Sequence, residues 1–140
     1  MSDLSLVRYR GYSELPGSQL LHDQLRVECS QDLVHGVHLI IVQSQDGSLV
    51  VGDSHHYGQA MRPFATREVE DLILHEMQRL LCLGHYQVTE RWTGIYPSGP
   101  QDAMFKMVLP DVQLISVTSG TGMSTSFGLA EEIVRSWSHT

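Results

Sequence analysis

The feature that most constrains the fold is a β-hairpin in the first half of the chain. Residues 36–43 (GVHLIIVQ) are β-branched and apolar, and residues 48–52 (SLVVG) follow after a turn that contains Asp46 and Gly47. An Asp-Gly pair between two apolar runs favours a tight hairpin turn, because glycine readily adopts a positive φ angle. The sequence therefore predicts a pair of antiparallel strands here.

Helical periodicity predicts three helices. The clearest covers 66–83, where one face carries Val69, Leu72, Ile73, Met77, Leu80 and Leu81. Such spacing places apolar side chains on a single stripe of a helix, while Thr66 and Gly84 suit its two ends. Shorter patterns predict helices over 18–29 and 123–138.

Four further segments are predicted to be strands, and a turn-rich stretch (PSGPQD) occupies 97–102. The strands are expected at 4–9, 86–96, 104–109 and 113–118. Strands and helices come in groups and do not alternate regularly, which is typical of an α+β fold. We therefore expect mostly antiparallel sheet with flanking helices.

Composition narrows the class of protein. The 140 residues are 41% hydrophobic and carry a net charge of −7, with Lys106 as the single lysine. An acidic chain without a basic cluster is a poor candidate for binding nucleic acid or an anionic membrane. Because no apolar run approaches about 20 residues and no signal-peptide pattern opens the chain, we expect a cytoplasmic protein without membrane contact.

The stretch 114–131 (LISVTSGTGMSTSFGLAE) is the most informative for function. An apolar strand leads into Ser119, Gly120, Thr121 and Gly122, and these residues lead directly into an amphipathic helix. Unpaired N–H groups at a helix start attract negative charge or an electron-rich oxygen. The stretch lacks the GxGxxG spacing and the P-loop lysine. A tight strand-to-helix turn without a ligand is the alternative interpretation.

Two other stretches combine residues suited to ligand contacts. Residues 91–102 (RWTGIYPSGPQD) offer the ring of Trp92 and the hydroxyl of Tyr96, although the same residues also suit a rigid corner. Residues 52–58 (GDSHHYG) follow the hairpin and form a loop suited to substrate contacts.

The histidines do not form a recognisable metal motif. Adjacent His55 and His56 point in opposite directions on an extended chain, and no HExxH is present. His35 and His38 can approach each other, but no carboxylate or cysteine stands near them at ligand spacing. We therefore expect no metal site, and no residue pattern identifies a catalytic nucleophile or base.

Taken in order, three segments carry a family resemblance over about residues 30–138. They are DGSLVVGDSHHYG, RWTGIYPSGPQD and LISVTSGTGMSTSFGLAEEIV. The chain resembles the C-terminal half of FAD-dependent oxidoreductases of the D-amino-acid oxidase type, the group with glycine oxidase and monomeric sarcosine oxidase. The segment GDSHHYG resembles the corresponding segment of a subgroup proposed to act near phosphonate breakdown.

The resemblance implies a division of the chain and a cofactor. Residues 1–103 would be part of a substrate-binding domain, and residues 104–140 the terminal strand and helix of the FAD-binding domain. Gly120, Thr121, Gly122 and Met123 would lie under the pyrimidine end of a non-covalently bound flavin. The substrate would be a small amine, oxidised at its C–N bond by hydride transfer to flavin, with His55, Tyr57 and Tyr96 lining its pocket.

Departures from the family pattern keep other hypotheses open. The Rossmann-type N-terminal half with GxGxxG is absent from the sequence. Tyr96 stands where amino-acid oxidases carry the arginine that clamps the substrate carboxylate. The chain is therefore alternatively a non-catalytic fragment or module that pairs with a separate FAD-binding polypeptide, or with itself. A third hypothesis is a small flavin-independent enzyme that needs His55 or His56.

Overall fold

A computed structural model describes residues 4–58 and 64–137. The chain divides into two compact units, one ending at Thr93 and the other beginning at Gly94. Within the described residues, six helices and two separate two-stranded antiparallel sheets form a small α+β structure. The α+β prediction is therefore confirmed at this level, while the predicted domain boundary at residues 103 and 104 stays a prediction.

In the first unit, helices both precede and follow the hairpin along the chain. Its elements are α1 (Leu4–Arg8), α2 (Arg10–Ser13), α3 (Ser18–Glu28), α4 (Ser30–Val34), β1 (Ile40–Gln43), β2 (Leu49–Gly52) and α5 (Arg67–Leu81). Strand β1 pairs with β2 in the register that sets Ile40 opposite Gly52 and Val42 opposite Val50. The predicted hairpin is confirmed, because the turn at Asp46 and Gly47 joins these strands.

The core of the first unit draws on α1, α3, α5 and the residues just before β1. The buried apolar side chains there are Leu4, Leu25, Val37, Leu39, Val69 and Met77. Helices α3 and α5 confirm the predictions for 18–29 and 66–83. Cys82, and not Gly84, adopts the left-handed conformation that ends α5, with φ at 48°.

The second unit contains one hairpin and one long helix. Strands β3 (Ala103–Leu109) and β4 (Val112–Val117) pair antiparallel, and Asp111 turns the chain between them with φ at 60°. Helix α6 spans Gly122–Trp137. These three elements confirm the predictions for 104–109, 113–118 and 123–138.

Two strand predictions are wrong. Residues 4–9 form α1 and the turn after it, because Leu4 and Ser5 are buried where α1 packs on α3 and the local alternation is overridden. Residues 86–96 form no regular element, since their backbone pairs with no strand among the described residues. Helix α4 was not predicted, because five residues are too few to show a helical period.

Among residues 4–58 and 64–137, no helix has both the length and the apolar character needed to cross a membrane.

Candidate functional site

A polar cluster lies just beyond the open end of the β1–β2 hairpin. His38 and Asp53 extend the pairing, because each backbone N–H donates to the other's carbonyl oxygen at 3.0 and 2.9 Å. The Asp53 carboxylate then lies between two imidazoles: Oδ1 is 2.7 Å from His38 Nε2, and Oδ2 is 3.5 Å from His55 Nε2. The rings of His38 and His55 stack with their centroids 5.0 Å apart.

Helix α1 supplies the other wall of this cluster. Ser5 and Arg8 stand three residues apart and so share one helix face. Ser5 Oγ lies 3.3 Å from His38 Nδ1, and Arg8 Nη1 lies 3.2 Å from His38 Nε2. The second Arg8 nitrogen, Nη2, donates to the Tyr57 hydroxyl at 2.8 Å. Both ring nitrogens of the buried His38 therefore have a polar contact from α1.

The loop that carries His55 packs tightly on Gly36, the residue just before the buried segment that starts at Val37. A Cβ placed on Gly36 would come within 2.8 Å of the His55 carbonyl oxygen, and Gly36 has φ at +59°. Both the space and the backbone angle therefore require glycine. The His55 N–H donates to the His35 carbonyl oxygen at 3.2 Å, which fixes the loop against this segment.

Electrostatics separate the roles of Asp53 and His55. Burial alone would raise the pKa of the Asp53 carboxyl, but the hydrogen bond from His38 and the charges of His55, His38 and Arg8 outweigh it and lower that pKa. Burial lowers the pKa of His55 to about 4, against the opposing attraction of Asp53. At neutral pH the cluster therefore presents a carboxylate, a neutral imidazole and the Arg8 guanidinium.

The structure places beside His38 a carboxylate that spacing along the chain did not indicate. One nitrogen of His38, one nitrogen of His55 and one carboxylate oxygen of Asp53 lie within 4.8 Å of one another, so a carboxylate does stand at ligand distance. Asp53 and His55 follow His38 by 15 and 17 positions in the chain. Hairpin pairing brings them together. Spacing along the chain cannot show a contact of this kind.

The predicted flavin-contact residues lie in the second unit, at the start of α6. Gly120 has φ at +78°, and the Tyr96 ring lies 3.6 Å from where its Cβ would stand. The Thr121 carbonyl oxygen accepts the N–H groups of Ser124 and Thr125 at 3.0 and 3.1 Å. The N–H groups of Gly122 and Met123 come before that first turn, where a helix offers no internal acceptor.

The geometry of this turn is compatible with the flavin contact that the family resemblance implies for these residues. A left-handed glycine lets the backbone approach a planar ring, and the first N–H groups of a 16-residue helix suit a carbonyl or anionic group. The Met123 side chain is 99% exposed.

The predicted substrate residues divide between the two units. His55 and Tyr57 belong to the polar cluster of the first unit, whereas Tyr96 lies beside Gly120 in the second. Ser5 and Arg8 were missed, because the segment around them was predicted to be a strand. The regular β1–β2 register would set Ser54 opposite His38, so pairing with Asp53 reflects a one-residue shift that no sequence signal announces.

Comparison with known proteins gives one match. A family model described as FAD dependent oxidoreductase (DAO) matches residues 9–136, which is most of the chain. The search of curated proteins and the search of solved structures find no match. Since the family match includes both the GDSHHYG loop and the glycine turn before α6, the chain belongs to the DAO family of FAD-dependent oxidoreductases.

Proposed function

We propose that this chain forms part of an FAD-dependent oxidoreductase that oxidises a C–N bond of a small amine or amino acid. The observation that carries the proposal is the family match over residues 9–136, together with a left-handed Gly120 at the start of α6. Residues 1–103 would belong to the substrate-binding domain and residues 104–140 to the FAD-binding domain. The family match favours flavin chemistry over a flavin-independent histidine enzyme.

The second unit would hold the flavin edge. The Gly122 and Met123 N–H groups would donate to an electron-rich oxygen, and Gly120 and Thr121 would shape the turn that aims them. Positive potential at a helix start stabilises charge that develops on a bound ring. When bound, the flavin supplies the acceptor for the two electrons that leave the substrate.

The first unit would orient the amine. His55 is neutral at neutral pH because burial lowers its pKa to about 4, so its ring can accept a hydrogen bond from an amine N–H. The Tyr57 hydroxyl is fixed by Arg8 at 2.8 Å and is 68% exposed as a residue, so it can still meet a ligand. Tyr96, which lies beside Gly120 in the second unit, stays a predicted substrate contact.

Titration of the purified 140-residue chain with FAD tests this proposal. We expect saturable binding with quenching of flavin fluorescence. Gly120→Ala should weaken binding about 5- to 30-fold, because a side chain at this φ costs about 1–2 kcal/mol and the turn will relax. Gly128→Ala, within α6, is the control, since nothing lies within 4 Å of its added Cβ and binding should be unchanged.

A module that pairs with a separate FAD-binding polypeptide is the second candidate. It is favoured by the apolar surface of α6, where Met123 and Phe127 are 99% and 89% exposed. The sequence contains no GxGxxG unit of its own to hold the adenosine half of FAD. If the wild-type chain fails to bind FAD, the second candidate replaces the first. Equal binding by wild type and Gly120→Ala would instead remove Gly120 from the flavin contact.

A further inference from the structure

We propose that His38, Asp53 and His55 bind one divalent transition-metal ion of the Zn²⁺ class. The site lies wholly within the first unit, and it goes beyond the flavin chemistry proposed above. It needs no residue of the glycine turn before α6. It does share His55 with the proposed amine contacts, so the two proposals are distinguished by their readouts: FAD binding and its loss in Gly120→Ala test the first, and Zn²⁺ binding tests this one.

The distances between the donor atoms already approach those of a metal site. One atom from each of the three residues lies within 4.8 Å of the other two, and His55 Nε2 is 3.5 Å from Asp53 Oδ2. Ligand atoms about 2.0–2.2 Å from a tetrahedral Zn²⁺ lie roughly 3.3–3.6 Å from each other. The His55–Asp53 edge thus has the required length, whereas the 2.7 Å contact between His38 Nε2 and Asp53 Oδ1 would lengthen as the ion takes the place of the proton between them.

The support around His38 suits a metal ligand. A ligating imidazole usually donates its second ring N–H to a fixed partner, which sets the ring orientation. Here Ser5 Oγ lies 3.3 Å from His38 Nδ1, and Ser5 and His38 are 0% and 1% exposed. A hydroxyl both donates and accepts, so this contact survives when Nε2 exchanges its proton for a metal ion.

The backbone holds the three ligands in place before any ion arrives. Asp53 and His38 exchange two backbone hydrogen bonds, and the Gly36 approach restrains the His55 loop. A site on such a rigid frame loses little conformational freedom on binding. Asp53 is itself 55% exposed in its side chain, which leaves an entry path for the ion.

The donor set indicates the class of ion. Two imidazoles with one carboxylate suit Zn²⁺, Co²⁺, Ni²⁺ or Fe²⁺, whereas Mg²⁺ and Ca²⁺ prefer oxygen ligands alone. Three protein ligands also leave at least one coordination position for water or a small ligand. The site would therefore resemble an open metal centre and not a closed structural one.

Arg8 opposes the ion and so provides a sensitive probe. Its Nη1 lies 3.2 Å from His38 Nε2, the same nitrogen that the metal would use. Its contacts with Tyr57 and with the face of Tyr9 can hold the guanidinium when it moves aside. Because two positive charges at this distance repel, Arg8→Gln should bind the ion more tightly than wild type.

The experiment is a calorimetric titration of the full chain with Zn²⁺ alone. We expect one equivalent to bind, with affinity reduced about 10-fold or more in Asp53→Asn and in His55→Gln. His56→Gln is the matched control, since His56 is adjacent, exposed and outside the three-residue set. It should bind within about two-fold of wild type, and Arg8→Gln should bind about three-fold tighter or more.

Circular dichroism verifies that each variant is folded, and Co²⁺ gives a second readout that needs no variant. Visible absorption bands of bound Co²⁺ in the wild-type chain, displaced by one equivalent of Zn²⁺, would support the site. The proposal is overturned if wild type binds no Zn²⁺, or if His56→Gln loses as much affinity as His55→Gln. Tighter binding by Asp53→Asn than by wild type would overturn it as well.

Discussion

The two units differ in how they treat their apolar side chains. The first unit buries six of them, from Leu4 to Met77, and arranges its polar cluster against that core. In the described part of the second unit, Ile133 alone reaches the same degree of burial. Among the described residues, only those of the first unit therefore form a core, and the candidate metal ligands are fixed there.

The second unit is built from too few elements to cover its own surfaces. A two-stranded hairpin by itself is marginally stable in water and needs further surface packed on it. Its exposed apolar residues lie on both the hairpin and the helix, and include Met104, Phe105, Met107, Val108, Leu109, Val112, Leu114, Met123, Phe127 and Val134. Surface of this kind marks an interaction site more often than a solvent-facing one.

The largest effect on stability is expected in the core of the first unit. Leu25→Ala should lower the free energy of unfolding by about 2–5 kcal/mol, because Leu25 is 2% exposed and truncation leaves a cavity. Leu20→Ala is the control in the same helix, since Leu20 is 76% exposed and should cost less than about 0.5 kcal/mol. Urea denaturation measures both. Similar losses for the two variants would mean that α3 has no inward face.

A smaller effect on stability is expected at Asp32, a carboxylate whose burial in the first unit is unfavourable. Asp32 is 8% exposed, and burial, followed by repulsion from Glu76, raises its pKa above 3.8 despite the attraction of His75 and Arg79. Between 3.8 and the raised pKa the folded state binds more protons than the unfolded state. Stability therefore falls as the pH rises through this window, and the deficit persists at pH 7.

Asp32→Asn removes that charge while keeping the side-chain shape. We expect the variant to have a higher urea midpoint than wild type at pH 7, with the gain shrinking as the pH approaches 4. Asp23→Asn is the control, because the Asp23 side chain is 56% exposed and should change little at either pH. A gain that does not depend on pH would show that packing, and not charge, explains the difference.

The smallest effect on stability is expected on α6, where association should change instead. Phe127→Ser should alter the free energy of unfolding by less than about 0.5 kcal/mol, because the side chain is 89% exposed. The same change should reduce self-association, which light scattering measures across a concentration series. If wild type and variant are both monomeric at every concentration, the apolar face of α6 does not join copies of this chain.

The sequence predicted the regular elements well where periodicity was long or a turn was distinctive. Helix α5 and both hairpins follow from side-chain patterns that repeat over several residues, and each was found with ends within a few residues. The strand predicted at 4–9 was wrong because six alternating residues fit a strand as well as a helix. Packing of Leu4 and Ser5 on α3 decided between them.

The candidate sites show the same division. Gly120 could be singled out from the chain alone, because a glycine before a helix carries local conformational information and the family pattern marks it. The contact between His38 and Asp53 could not, because it depends on a register shift of one residue at the end of a hairpin. Arg8 reaches that contact only because residues 4–8 are helical.

The sequence alone thus determined the α+β class, the two hairpins, the long helices and the glycine turn before α6, since these depend on neighbours along the chain. Tertiary structure alone decided that two imidazoles, a carboxylate and a guanidinium meet in one place. The physical reason is that side-chain chemistry at a site depends on distances and burial. Both are set by packing between segments that are far apart in the chain, such as Arg8 and His38, which are 30 residues apart.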